Sequence, residues 1–195
     1  MKHLVIFVHP YSKSFVKGIV DTIEKETLDN NSEVKVRDLY EIDFNPVIKG
    51  SDLLNLKTRD YAYDIKAEQE YIKWADVITF VYPIWWAGLP AMLKGYVDRV
   101  FANGFAFTHD ENGPIGLLKG KKALLFSTSG FSNDIYENIG MHKSIKQTTD
   151  EAIFEFCGLD VIKHVFFGNI PYSTDEERKE YLDEVKEVVK NICNN

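Results

Sequence analysis

The chain has 195 residues, 45% of them apolar and 27% charged, which is enough for one well-buried core of ordinary globular composition. A formal net charge of −7, with no cluster of Lys and Arg, argues against a nucleic-acid face. No segment approaches the roughly 18–20 apolar residues of a membrane span. The apolar stretch in MKHLVIFVHP is too short for a signal segment. The only two cysteines, Cys157 and Cys193, form no CxxC, so inert thiols in a reducing, cytoplasmic setting are expected.

Residues 3–9 (HLVIFVH) read as a first buried strand, and Ser14 can cap a helix running to about 28, with Phe15, Ile19 and Ile23 on one face. Residues 33–39 (EVKVRDL) alternate polar with apolar, as a strand nearer a sheet edge does. An irregular stretch, 40–64, leads to a helix over 65–74, a strand over 76–83 (DVITFVYP) and a helix over 90–101 that opens with proline. A second irregular stretch, 102–120, precedes a strand over 121–128 (KKALLFST). A helix follows within 144–157, ending at Gly158, and then a strand over 160–168 (DVIKHVFFG). The last helix begins at STDEE, where Ser173 or Thr174 caps and the acids suit the positive helix end. Strands alternating with helices predict right-handed crossovers and a doubly wound parallel sheet. Five strands in a single domain spanning 1–195 favour the flavodoxin-like order 2-1-3-4-5, with ligands beyond the carboxyl ends of the strands.

Chemistry is therefore sought at those ends. The first strand leads into HPYSKSF, with no GxGxxG and no glycine-rich lysine loop. Its hydroxyls, Ser12 and Ser14, and the helix N-terminus suit a phosphate, with His9 and Lys13 adding donors. The third ends in YPIWWAGLP, where backbone groups can meet the polar edge of a heterocycle while Trp85 and Trp86 offer apolar faces. The same pair would also serve as core or interface filler. The fourth ends in STSGFSNDIYENIGMH. Ser127, Thr128, Ser129 and Gly130 make a second cradle there, and Tyr136 and His142 are placed to donate to charge developing on a ligand. A serine nucleophile is disfavoured because the G-x-S-x-G elbow is absent. No His, Cys, Asp and Glu set has zinc spacing. Hydroxyls, amides and aromatics without metal ligands point to a phosphate-bearing planar cofactor, a flavin.

These segments resemble the flavodoxin-like NAD(P)H:quinone oxidoreductases, the group that includes DT-diaphorase, the bacterial modulator of drug activity and the potassium-efflux ancillary reductases. The likeness covers almost the whole chain. It runs through HPYSKSF, FNPVI, DIKAEQ, YPIWWAGLPAMLKGYVDRVF, GFAFT and CGLDVI. The resemblance implies that His9, Lys13, Ser14 and Phe15 surround the flavin phosphate. Pro83, Ile84, Trp85 and Trp86 would contact the isoalloxazine ring, and Thr128, Ser129 and Gly130 its other polar edge. Tyr136 and His142 match the family's catalytic tyrosine and histidine, while Phe107 and His109 fall where a partner subunit lines the substrate pocket beside Trp85 and Trp86.

Implied with them are NAD(P)H as hydride donor, a small-molecule electron acceptor and a homodimer with sites at the interface. Val16 replaces a polar residue of some FAD-binding members, and the stretch before DIKAEQ is shorter than in the mammalian enzymes, so FAD and FMN both stay open. The mammalian-type C-terminal extension is missing. Two other readings stand beside the oxidoreductase: a flavodoxin-type electron carrier, and a regulatory ancillary subunit of a potassium-efflux antiporter.

Overall fold

The structure is a computed structural model, and it describes residues 1–58 and 60–194. At its centre lies a parallel sheet of five strands: β1 (Lys2–Phe7), β2 (Glu33–Asp38), β3 (Val77–Pro83), β6 (Lys122–Thr128) and β7 (Asp160–Phe167). Their order is β2-β1-β3-β6-β7. Counted as sheet strands alone this is 2-1-3-4-5, and the chain numbering differs because an unexpected hairpin, β4 (Phe107–Asp110) and β5 (Gly113–Gly116), intervenes. All seven residues of β3 are buried, as its unbroken apolar run requires of a strand covered on both faces. β2 lies at the edge, and the alternation in its first half leaves Glu33 and Lys35 exposed between the half-buried Val34 and Val36.

Side chains alternate along each strand, so each one feeds two cores. Val5, Phe7, Val81, Leu124 and Phe126 face α1 (Phe15–Asp29) and α7 (Asp175–Cys193). Ser14 caps α1 by accepting the Lys17 amide at 3.2 Å. Val16, Ile19, Val20 and Ile23 then fall on one buried stripe. Thr174 and Glu177 form a reciprocal capping box at the start of α7. On the opposite face, Leu4, Ile6, Phe80 and Leu125 meet α3 (Tyr63–Trp74), α4 (Ala91–Val100) and Phe154.

Two expected irregular stretches contain regular structure. Residues 40–64 hold α2 (Gly50–Thr58), which has no apolar stripe to announce it: Leu53 and Leu54 are exposed and Asp52 is buried. What fixes it is Arg99 of α4. Its fully buried guanidinium donates from Nε to Asp52 at 2.9 Å, and from Nη1 to Asp64 at 2.6 Å and the Asn45 carbonyl at 2.8 Å. Gly95 lets that same segment close onto α4, since a Cβ there would stand 2.1 Å from the Pro46 carbonyl oxygen. Residues 102–120 hold the β4-β5 hairpin, whose four-residue strands are too short for a period of two to show. The helix expected within 144–157 is also different. A short α6 (Met141–Ile145) continues as a π-helix over Lys146–Glu155, whose wide turn survives in the Phe156 amide's bond to Glu151 O at 3.1 Å.

Candidate active site

Three loops converge beyond the carboxyl ends of β1, β3 and β6. The first brings His9 to Ser14. His9 Nδ1 lies 3.0 Å from the Tyr11 amide and 3.2 Å from the Tyr11 carbonyl oxygen, which ties the ring to its own loop and leaves Nε2 facing outward from these contacts. Partial burial pushes the His9 pKa below its ordinary value, against a raising contribution from the Tyr11 backbone. Lys13 is exposed, and Ser14 spends its oxygen on the cap. The Phe15 ring turns away into the core, edge-on to Phe167 and Tyr181 at 6.3 Å each, which leaves its amide at the helix end. The first amides of a helix have no intrahelical acceptor. This loop therefore presents unspent donors and the positive end of a fifteen-residue helix.

The second loop is a tight turn. Trp85 N donates to Gly88 O at 3.2 Å and Gly88 N returns to Trp85 O at 3.1 Å, with Trp86 at φ 51° and Ala87 at φ 58° between them. Two consecutive left-handed residues make a type I′ turn, which usually takes Asn and Gly. Held there, non-glycine residues store backbone strain, and such outliers concentrate at functional sites. Trp85 is 43% exposed and its ring sits 6.4 Å from His9, whereas Trp86 is fully in solvent at the tip. Pro83 and Ile84 are buried beneath, and the Ile84 amide donates to Thr128 O at 2.7 Å, tying this loop to the third.

In the third loop the expected cradle is partly spent on itself. The Ser129 amide donates to Phe167 O at 2.9 Å and its hydroxyl to Phe131 O at 2.7 Å. Gly130 is open, and its nearest would-be Cβ contact is Pro171 Cγ at 4.0 Å. Ser127 is not part of the cradle. Strand alternation turns it into the core, where its Oγ lies 3.0 Å from His164 Nε2.

Between the second and third loops lies a cleft of about 580 Å³. Ile84, Trp85, Trp86 and Ala87 form one wall, with Gly130 and Tyr136 opposite. Phe131, Ile139 and Met141 complete it; the sequence reading passed over these three. For Phe131 and Ile139 a signal was present: with Ile135 they are large apolar residues repeated every four positions, and all three are exposed.

Tyr136, buried in α5 (Asn133–Asn138), lines the cleft. His142 does not share that lining: Gly140, at φ +71°, turns the chain and puts His142 behind Tyr136, ring centroids 5.7 Å apart and edge to face. His142 Nδ1 lies 3.1 Å from the Glu137 carboxylate, and its Nε2 is buried without a partner. Phe107 and His109 sit on the β4-β5 hairpin, packed on each other at 5.6 Å and absent from the lining of this chain's cleft.

The family model described as flavodoxin-like fold matches residues 1–189. The chain belongs to this family. An uncharacterized NAD(P)H oxidoreductase of Haemophilus influenzae is 40% identical over 94% of this chain and 91% of its own length. The NAD(P)H dehydrogenase [quinone] 1 of Cavia porcellus is 30% identical over 97% of this chain and 76% of its own. Among solved structures, an NAD(P)H:quinone oxidoreductase from Methanothermobacter marburgensis superposes with a TM-score of 0.90, over 98% of both chains. At 24% identity that likeness speaks for the fold alone.

Within this flavodoxin-like frame the residues fit a flavin. Free helix-end amides with His9 and Lys13 suit a phosphate, and a mostly apolar cleft with one indole wall suits a planar ring. No group of three or more His, Cys, Asp or Glu that could hold a metal occurs among the described residues. No helix among them is long and apolar enough to cross a membrane.

Proposed function

We propose that this chain, one flavin-binding domain spanning 1–195, is a flavin-dependent NAD(P)H oxidoreductase that reduces quinones or related electrophiles. The observation that carries this reading is the adjacency of two parts: the first loop, with unspent donors at the α1 N-terminus and His9 6.4 Å from Trp85, and a cleft walled by Trp85 with Tyr136 opposite. FMN or FAD, when bound, would supply the two-electron chemistry that a ping-pong exchange between NAD(P)H and the acceptor needs.

The chain's own residues do the rest. The amides of Phe15 and Val16, with Lys13 and the His9 ring, would hold the phosphate. Ile84 and Trp85 would hold the ring by their apolar surfaces, and the open space at Gly130 would leave the backbone of 128–130 free to meet its polar edge. The Tyr136 hydroxyl donates where negative charge gathers on reduction. His142, packed edge to face behind Tyr136, would act on that charge through Tyr136, or by a turn of its ring that brings the unpartnered Nε2 to the cleft. The fully exposed Trp86, together with Phe131 and Ile139, leaves the mouth of the cleft apolar. A second copy, delivering its own Phe107 and His109, closes it as a homodimer. The relatives' names and a slot sized for a small molecule do not favour a one-electron protein carrier or an antiporter subunit.

The test begins with an absorbance spectrum of the purified protein and mass analysis of any released cofactor. FMN and FAD titration, steady-state NAD(P)H oxidation with a quinone and sedimentation follow. Failure to bind either flavin at tens of micromolar overturns the reading. A monomer that retains full activity overturns the shared site.

A further inference from the structure

Behind the cleft, the structure holds a polar chain to which the proposed reaction assigns no role. His164, on β7, has a fully buried side chain. Its Nδ1 lies 2.8 Å from Asp150 Oδ1, and its Nε2 lies 3.0 Å from Ser127 Oγ and 3.4 Å from the Tyr82 hydroxyl. Serine, imidazole and carboxylate are thus joined through the same atoms as in a hydrolytic triad. Ser127, however, is entirely buried within β6 and offers no surface to a substrate. The chain is not a nucleophile's.

Its neighbours show what it does. The Phe166 ring is stacked on His164 at 4.0 Å and 20°, and on His142 at 4.2 Å and 26°. Two rings so close and so nearly parallel to a third would overlap on one face, so the imidazoles lie on opposite faces of Phe166. Asp150 belongs to the π-helix, which is continuous with α6, the element that carries His142. The carboxylate of Asp150 accepts the Nδ1 proton of His164, leaving Nε2 to accept from the Ser127 hydroxyl. Burial keeps His164 below its ordinary pKa, opposed by the Asp150 bond and charge and helped by the positive charges of Lys146 and His142. The ring that backs Phe166 is therefore held in one orientation from both of its nitrogens.

We infer that His164, locked between Ser127 and Asp150, is a positioning residue that fixes the His142 ring through Phe166 and through the π-helix. The inference rests on the reading of His142 given above, but its decisive measurement does not. Widened helical turns are frequent at functional sites, and here the ten-residue widened segment is pinned by its one buried carboxylate, Asp150.

The experiment uses flavin-free protein with 15N-labelled histidine. The imidazole spectrum should show His164 as the Nδ1–H tautomer, and His142 carbon-bound protons shifted upfield by the Phe166 ring. In Asp150→Ala, at a temperature where thermal melting shows it folded, the His142 upfield shift should fall by about half or more. In the flavin-loaded protein the same variant should keep its flavin affinity and reduce flavin about three- to tenfold more slowly, the scale of coupling within one hydrogen-bonded network. Asp150→Asn keeps an oxygen facing Nδ1–H and should restore both signals and rate, whereas Asp150→Leu, of similar size but without an acceptor, should restore neither; a purely space-filling role predicts rescue by both. Unchanged His142 signals in folded Asp150→Ala overturn the inference. If that variant does not fold, Ser127→Ala makes the test from the other end of the chain, and unchanged His142 signals there overturn it equally. Should the signals move while His142→Gln leaves reduction untouched, the positioning stands and the role given to His142 falls. Should His142→Gln slow reduction while the signals stay, the reverse holds.

Discussion

The two faces of the sheet are built by different means. Against α1 and α7 the core is almost wholly apolar, and its buried imidazole, His3, is neutral, held by Thr27 Oγ1 at 3.0 Å and Thr79 Oγ1 at 2.6 Å. Against α3, α4 and the π-helix the core carries charge. Arg99 binds Asp52 and Asp64, Glu68 takes Arg37 at 2.6 Å, and Asp150 takes His164. The difference follows from the connections. The first face covers itself with two long, well-capped helices, for which area burial suffices. The second must also seat α2, the hairpin and the α5–α6 turn, short pieces that bury little and need specific polar ties to stay in place. Of these pieces the α5–α6 turn borders the cleft, through Tyr136, Ile139 and Met141, so there the charged face helps to shape the site.

The largest expected effect comes from cutting a tie on the charged face. Arg99→Met leaves Asp52 buried without its cation, a loss of about 3–5 kcal/mol in urea unfolding for a broken buried pair. Desolvation works to raise the Asp52 pKa, and the bonds from Arg99 and the Lys49 amide outweigh it. Amide exchange should rise first in α2. A loss under about 1 kcal/mol would show that the face is held by packing after all.

The neutral face should declare itself in acid. Burial pushes the His3 pKa from 6.5 down to about 4. Between those values the unfolded chain binds a proton that the folded chain refuses, so stability falls as pH falls. Lowering the pH from 7 to 4.5 should remove about 2.5 kcal/mol through this group. His3→Gln should flatten that part of the profile; parallel wild-type and variant curves would mean that His3 is charged inside the fold.

That contrast also sorts what the sequence could tell. The α1–α7 face was legible because a Ser14 cap, a Thr174 capping box and apolar stripes are local signals. The five strands were legible from their runs of Val, Ile, Leu and Phe. On the other face, α2 is specified by Arg99, some forty positions away, and the π-helix by a carboxylate pairing with a later strand; neither leaves a periodic trace. In the cleft, the convergence of the three loops was legible from strand ends. That the Ser129 donors are spent internally, and that Ser127 and His142 lie behind the wall, depends on strand alternation and on one left-handed glycine, Gly140.

At the cleft the comparison becomes kinetic. His142 belongs to the charged face, and its buried, unpartnered Nε2 is the donor or acceptor held in reserve. One lost donor in a preorganised site costs about 2.7–4 kcal/mol, and a partly solvated cleft lowers that. His142→Gln is expected to slow flavin reduction by about ten- to a hundredfold, or ~1.4–2.7 kcal/mol, with flavin affinity nearly intact. Tyr136→Phe should act on the same step, and the double variant should lose less than the sum. Stopped-flow rates that are unchanged in both single variants would reduce the pair to packing.

The smallest effect is expected at the turn that joins neither face. Ala87 stands at φ 58° with nothing but the turn's own two hydrogen bonds to hold it there. An L-residue in that conformation costs about 1–2 kcal/mol relative to glycine. Glycine in turn gives the unfolded chain extra freedom worth about 0.4–1 kcal/mol. The two oppose each other, so Ala87→Gly should stabilise the protein by only about 0.5–1 kcal/mol, a shift of a few degrees in melting temperature at this size. The informative result lies in its second consequence. If the strained turn serves to hold Trp86 and Trp85 at a fixed angle, relieving it should loosen them. Flavin should then dissociate faster from a protein that melts higher, and tryptophan fluorescence anisotropy should drop. A variant that melts higher and also binds flavin more tightly would mean that the strain at Trp86 and Ala87 does not serve binding.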